Sequence, residues 1–121
     1  MKSRRLEPQH ASHQWNRRRY ARLIGPYPGH WSLPNGPVNK GRVAQLSLNG
    51  CFVATPQTPN RGERVIVTVD AGDHPTMPLS GTVVNSRWSD GFGVKFDPLS
   101  PAHLEALNAL MDTLRARRTT Y

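Results

Sequence analysis

Between residues 42 and 97 the chain runs in short stretches that alternate apolar and polar positions, each closed by turn-forming residues. "RVAQLSLNG" sets Val43, Gln45 and Ser47 on one side of an extended chain and Ala44, Leu46 and Leu48 on the other. A period of two is the mark of a half-buried strand. Asn49-Gly50 signals a turn, and "CFVAT" resumes the extended run. "ERVIVTVD" (63–70) is β-branched, with Val65, Val67 and Val69 on one face. "AGDHPTMP" reads as a loop, "LSGTVVNSRW" (79–88) as a strand, "SDG" as a turn, and "FGVKFD" (92–97) as a strand with Val94 and Phe96 on one face. Trp88, beside that turn, is expected to pack across strands. Upstream, "GPYPGHWSLPNGPVNKG" (25–41) is too rich in proline and glycine for a helix. It leaves room for one edge strand around Trp31 to Leu33. Short, evenly spaced strands with hairpin-length loops predict an antiparallel barrel or sandwich.

The last stretch changes period. Ser100 followed by Pro101 supplies an N-cap and a first-turn proline. Leu104, Leu107, Met111 and Leu114, with Leu110 beside them, recur at helical spacing. The spacing predicts an amphipathic helix of about four turns, with its apolar stripe packed on the strands as a lid. A helix that pairs with a second copy is the alternative. The arginines that trail it suit the negative end of the helix dipole.

Length and charge refine this reading. A chain of 121 residues suits one domain with one core. No apolar run reaches the length of a membrane span, and no apolar region follows the positive N-terminus as in a secretory signal. The lone Cys51 allows no internal disulfide and no metal-ligand spacing; it reads as a small buried hydrophobe, and a cytoplasmic protein is the natural expectation. His10, His13 and His30 fit no metal-site spacing, so no metal or cofactor is expected. The net charge of +8 is concentrated at the ends. Residues 1–22 hold seven basic side chains against Glu7 alone, and residues 115–121 add three more, whereas residues 23–114 carry six basic and seven acidic groups. Such placement favours one local anion site over binding of a nucleic-acid polymer along the whole body. Residues 1–14 read as a flexible leader and residues 15–121 as the folded domain.

No nucleophile, base and acid stand together, and the glycines form no phosphate loop ahead of a helix; an enzyme is not expected. The order of parts instead carries a family resemblance. "WNRRRYAR" (15–22) contains an RxxxR motif at Arg18 and Arg22, with Arg17 ahead of it and Arg19 inside it. "QLSLNG" (45–50) follows at a strand end, and "GFGVKFDPLSPAHLEAL" resembles a closing strand and the start of a helix. Over about residues 15–114 this arrangement resembles the PilZ domain family, bacterial receptors that typically bind cyclic di-GMP. The resemblance implies an all-β fold: a six-stranded antiparallel split barrel with a C-terminal α-helix. It implies a ligand site built from RxxxR and from (D/N)xSxxG, to which Ser47 and Gly50 correspond. Gln45 stands where the family has Asp or Asn. Its amide keeps the carbonyl acceptor but places it one methylene farther out and without the charge. Loss of one charge-assisted hydrogen bond costs about 1.5–3 kcal/mol, one to two decades in affinity.

The residue chemistry agrees with that implication. An arginine fork grips phosphate oxygens in bidentate fashion, and its plane stacks on a purine or reaches O6 and N7. Four arginines and no lysine in 15–22 suit planar recognition better than bulk charge. Ser47 is expected to donate to a phosphate or accept from a base, and Gly50 to permit close backbone approach and a φ > 0 turn. Trp15 and Tyr20 are expected to anchor the linker on the barrel. The leading expectation is a cyclic di-GMP receptor whose linker changes conformation on binding and which signals by contact with an unidentified effector protein. The alternatives are a degenerate PilZ adaptor that works through protein contacts alone, and a small β-barrel that binds nucleic acid.

Overall fold

A computed structural model describes residues 22–72 and 76–118. The described residues form six strands: β1 (Leu23–Ser32), β2 (Asn39–Leu46), β3 (Gly50–Ala54), β4 (Arg64–Val69), β5 (Leu79–Arg87) and β6 (Gly91–Phe96). The helix α1 (Pro101–Arg118) follows. All pairings are antiparallel, and the strands close into a barrel in the order β1-β2-β3-β6-β5-β4. This is the expected six-stranded barrel with a C-terminal helix.

A barrel this small is filled by its own side chains. Val43, Leu46, Val53, Val65, Val67, Val69, Leu79, Val83 and Phe92 are almost fully buried inside it. Trp31 packs edge-on against Phe92 with ring centroids 5.0 Å apart. Ser100 caps α1 as expected: its hydroxyl accepts from the His103 amide at 3.1 Å. Leu107, Leu110, Met111 and Leu114 join the barrel interior in one apolar cluster, with Leu104 at its margin. At 18 residues the helix is about five turns, one more than the apolar spacing predicts, and an exposed Arg115–Asp112 pair at 2.9 Å lies near its C-terminal end.

Three expectations are corrected. The Pro-rich stretch is no short edge strand: β1 spans ten residues and pairs with β2 on one side and β4 on the other. Prolines are tolerated because Pro26 and Pro28 face outward, and because pairing with β4 begins only at Gly29. The Pro28 carbonyl still accepts from the Asp70 amide at 2.9 Å. The second correction concerns β2, which does not alternate strictly. Val43 opposes Val53 but Gln45 opposes Phe52, so Ala44 is the extra residue of a bulge. The bulge buries both Val43 and Leu46 and turns Gln45 outward. The third is Trp88, which does not pack across the strands among the described residues. It lies at the tip of the β5–β6 hairpin with 87% of its surface exposed, because the strand ends at Arg87 and Ser89 takes φ +66°. The expected anchors Trp15 and Tyr20, and the expected leader, lie outside the described residues.

Candidate functional site

On the outer surface of β2, β3, β6 and β5 lies an open trough of about 920 Å³. Its axis is legible from register. Ile24, Gln45, Phe52, Gly93 and Asn85 are direct neighbours across five consecutive strands. Two bulges set this row. The one at Ala44 turns Gln45 outward, and a second at Val84 does the same for Asn85. Beneath the row the outward position of β6 is Gly93, so the floor there is bare backbone between taller side chains.

One wall carries the motif residues. Arg22, immediately before β1, donates through Nη1 to Gln45 Oε1 at 2.7 Å. The two halves of the expected site, 23 residues apart in sequence, are thereby joined. A carbonyl oxygen has two lone pairs, and the Gln45 NH2 group adds a donor that an aspartate would lack. Ser47 and Gly50 close the turn beside it. The Ser47 amide donates to the Gly50 carbonyl at 2.9 Å. The Ser47 hydroxyl accepts from the amides of Asn49 and Gly50, each at 3.2 Å, and donates to the Gly50 carbonyl at 3.2 Å. Its hydrogen-bonding capacity is thus used within the turn. Leu48, buried, pins the same turn to the core.

Gly50 is explained differently from the sequence expectation. Its φ is not positive. It is the first residue of β3, and a Cβ there would collide with the backbone carbonyl oxygen of Val94 on β6. Close approach is needed and left-handed backbone is not. Arg17, Arg18 and Arg19 lie outside the described residues.

The opposite wall was not found by motif reading. Arg87 and Asn85 from β5 form it, with Phe52 from β3 and Lys95 from β6 between the two walls. The Arg87 guanidinium lies over the Phe52 ring, 5.9 Å from its centroid. Asn85 accepts from the Gly93 amide at 3.1 Å, which holds its side chain over the glycine floor. The outward alternation of β3 and β6 could have suggested these residues; their meeting depends on register and bulges. The six strands contain no acidic residue, while Asp70, Asp90 and Asp97 sit at strand ends and Glu105 and Asp112 on the helix. The near-neutral charge of the body is therefore an average over a sorted surface, and this face is basic. A second groove of about 750 Å³, lined in part by Lys40, Arg42 and a His30–Asp70 pair at 3.3 Å, lies on β1 and β2 away from the motif residues. Among the described residues no three His, Cys, Asp or Glu side chains converge as a metal cluster would require, and no helix is long and apolar enough to cross a membrane.

The PilZ domain model matches residues 16–112. The chain belongs to the PilZ domain family. Solved PilZ structures share its fold. The PilZ domain with c-di-GMP of YcgR from Escherichia coli superposes with a TM-score of 0.65 at 18% identity, covering 84% of this chain and 95% of that one. The K. pneumonia MrkH–c-di-GMP complex gives 0.62 at 15% identity, over 86% of this chain and 56% of MrkH. A curated relative of another kind, methionine aminopeptidase 2 from Verticillium alfalfae, is 36% identical over 90 residues. That match takes in 67% of the PilZ chain and spans only 19% of the aminopeptidase.

Proposed function

We propose that this PilZ chain is a cyclic di-GMP receptor that acts by binding, not by catalysis, in the cytoplasm. The ligand lies in the trough on the β2–β3–β6–β5 face. Arg17, Arg18, Arg19 and Arg22 grip its phosphates and guanine edges, Gln45 meets a guanine, and Ser47 and Gly50 shape the turn beneath it. The reading is carried by one observation: Arg22 of the first motif bonds Gln45 of the second at 2.7 Å, at the rim of a trough with a basic far wall. Support comes also from the PilZ relatives of E. coli and K. pneumonia whose structures hold c-di-GMP. Binding reorganises the segment ahead of Arg22 and so changes the surface offered to an effector protein, in motility or surface attachment.

Calorimetric titration with cyclic di-GMP tests this. Wild type binds, and Arg18→Ala weakens binding by about one to two decades, the worth of a lost charge-assisted contact. No binding by wild type at high micromolar ligand sinks the reading. The second reading, an adaptor that has lost the ligand and works only by protein contact, draws on the same bond, since Gln45 already gives one of its two carbonyl lone pairs to Arg22. It expects Gln45→Asp to create binding that wild type lacks, and it falls if wild type binds and Gln45→Asp leaves the affinity where it was.

A further inference from the structure

We propose that Arg87, lying over Phe52, is the platform for the second purine of the ligand and thereby selects a cyclic dinucleotide over a ligand with one base; this rests on the receptor reading above. Several arginines of the described residues have side-chain partners. Arg64 is paired with Asp97, Arg115 with Asp112, and Arg22 with Gln45. The Arg87 guanidinium makes no ion pair and no hydrogen bond among the described residues, although it lines the trough. What places it is the ring of Phe52. That ring is itself positioned closely, because the bare backbone at Gly91 lets it in: a Cβ at Gly91 would stand 2.7 Å from the Phe52 ring edge.

A guanidinium held over a ring by a cation–π contact, with no other partner, leaves its solvent side open as a planar cationic surface. Such a surface suits a purine, whose π-face stacks on planar groups whatever its edge pattern. Across the sheet, the column of Gln45 on β2 and that of Arg87 on β5 are three strand spacings apart, about 14 Å. A ligand with one base engages one wall. A cyclic dinucleotide has two bases and a doubly charged ring between them, which suits the glycine floor and Lys95. Phe52 then acts as a positioning residue, since it touches the ligand through Arg87. Its glycine-lined surroundings on β6 are what make room for the stack.

The test is titration of cyclic di-GMP into wild type, Arg87→Ala, Arg87→Lys and Phe52→Leu, with thermal melts to confirm folding. Arg87 is exposed and pairs with no acid among the described residues, so its variants are expected to fold as wild type does. Loss of the stacked base is expected to weaken binding by about tenfold to a hundredfold in Arg87→Ala. Arg87→Lys, which keeps the charge and loses the plane, is expected to fall close to Arg87→Ala. Phe52→Leu is expected to weaken binding in the same direction, and the double variant Phe52→Leu/Arg87→Ala to be no worse than Arg87→Ala, because the two side chains act as one unit. Wild-type affinity in Arg87→Ala, full rescue by lysine, or additive losses in the double variant would each overturn the platform while leaving the receptor reading standing. No binding by wild type overturns both.

Discussion

Replacing Gly50 by alanine tests what this motif glycine is for. In the structure it faces Lys95 across the β3–β6 ladder. A Cβ there falls on the Val94 carbonyl oxygen, and Val94 C and Lys95 Cα lie only 3.2 and 3.4 Å away. Even a short C···O contact needs about 3.3 Å, so the strands must part. The obstructing atoms are backbone, with no rotamer to move aside. Overpacking of this kind costs typically 1–3 kcal/mol. At about 4–8 °C per kcal/mol for a small domain, a cost near 2 kcal/mol lowers Tm by roughly 10 °C. Because the φ of Gly50 is not positive, asparagine, which tolerates left-handed turns, offers no relief and is expected to be at least as damaging as alanine. Urea unfolding and thermal melts without ligand measure both variants. Wild-type stability in Gly50→Ala, or rescue by Gly50→Asn, would refute the close-approach argument and restore the turn argument that the Asn-Gly pair suggests.

Further predictions concern the core, the helix and the surface charges. Burial pushes the Cys51 thiol up to about 12, so almost no thiolate exists at pH 8, and a thiol reagent should label the native protein only at the rate of its opening; fast stoichiometric labelling would contradict the barrel interior. Leu107, with none of its surface exposed, should cost about 2–5 kcal/mol when truncated to alanine, read by urea unfolding, and an unchanged midpoint would detach the helix from the core. Arg64 bonds both carboxylate oxygens of Asp97 and, through that hydrogen bond first, holds its carboxyl below the ordinary carboxylate range. A carboxylate with a lowered folded pKa stabilises above its unfolded pKa, and this is lost as pH falls through the folded value. Asp97→Asn should therefore melt below wild type at neutral pH and converge with it in acid; a constant difference at all pH values would remove the ion pair as its cause.

How much of this was legible in the sequence depended on whether the signal was local. The alternation of 63–70, the Ser100-Pro101 cap and the helical leucine spacing are decided by residues a few positions apart, and each appears in the structure where the pattern placed it. So was the order of the two arginine and serine-glycine motifs, which names the family and one wall of the trough. The missed features all depend on partners distant in the chain. A proline-rich segment became a full barrel strand because its prolines face outward and past the end of β4. Gln45 points outward because of a bulge defined only against β3. Trp88 is exposed because the hairpin tip carries it away from the sheet. Arg87 and Phe52 are 35 positions apart and meet because β6 lies between their strands with glycine at the crossing. Local pattern by itself determined the elements and the charged motifs, since propensity, capping and periodicity act over single turns. Only the closed register decided what faces Gln45 across the trough, because cross-strand neighbours are set by pairing and by bulges, and neither is written in any one segment.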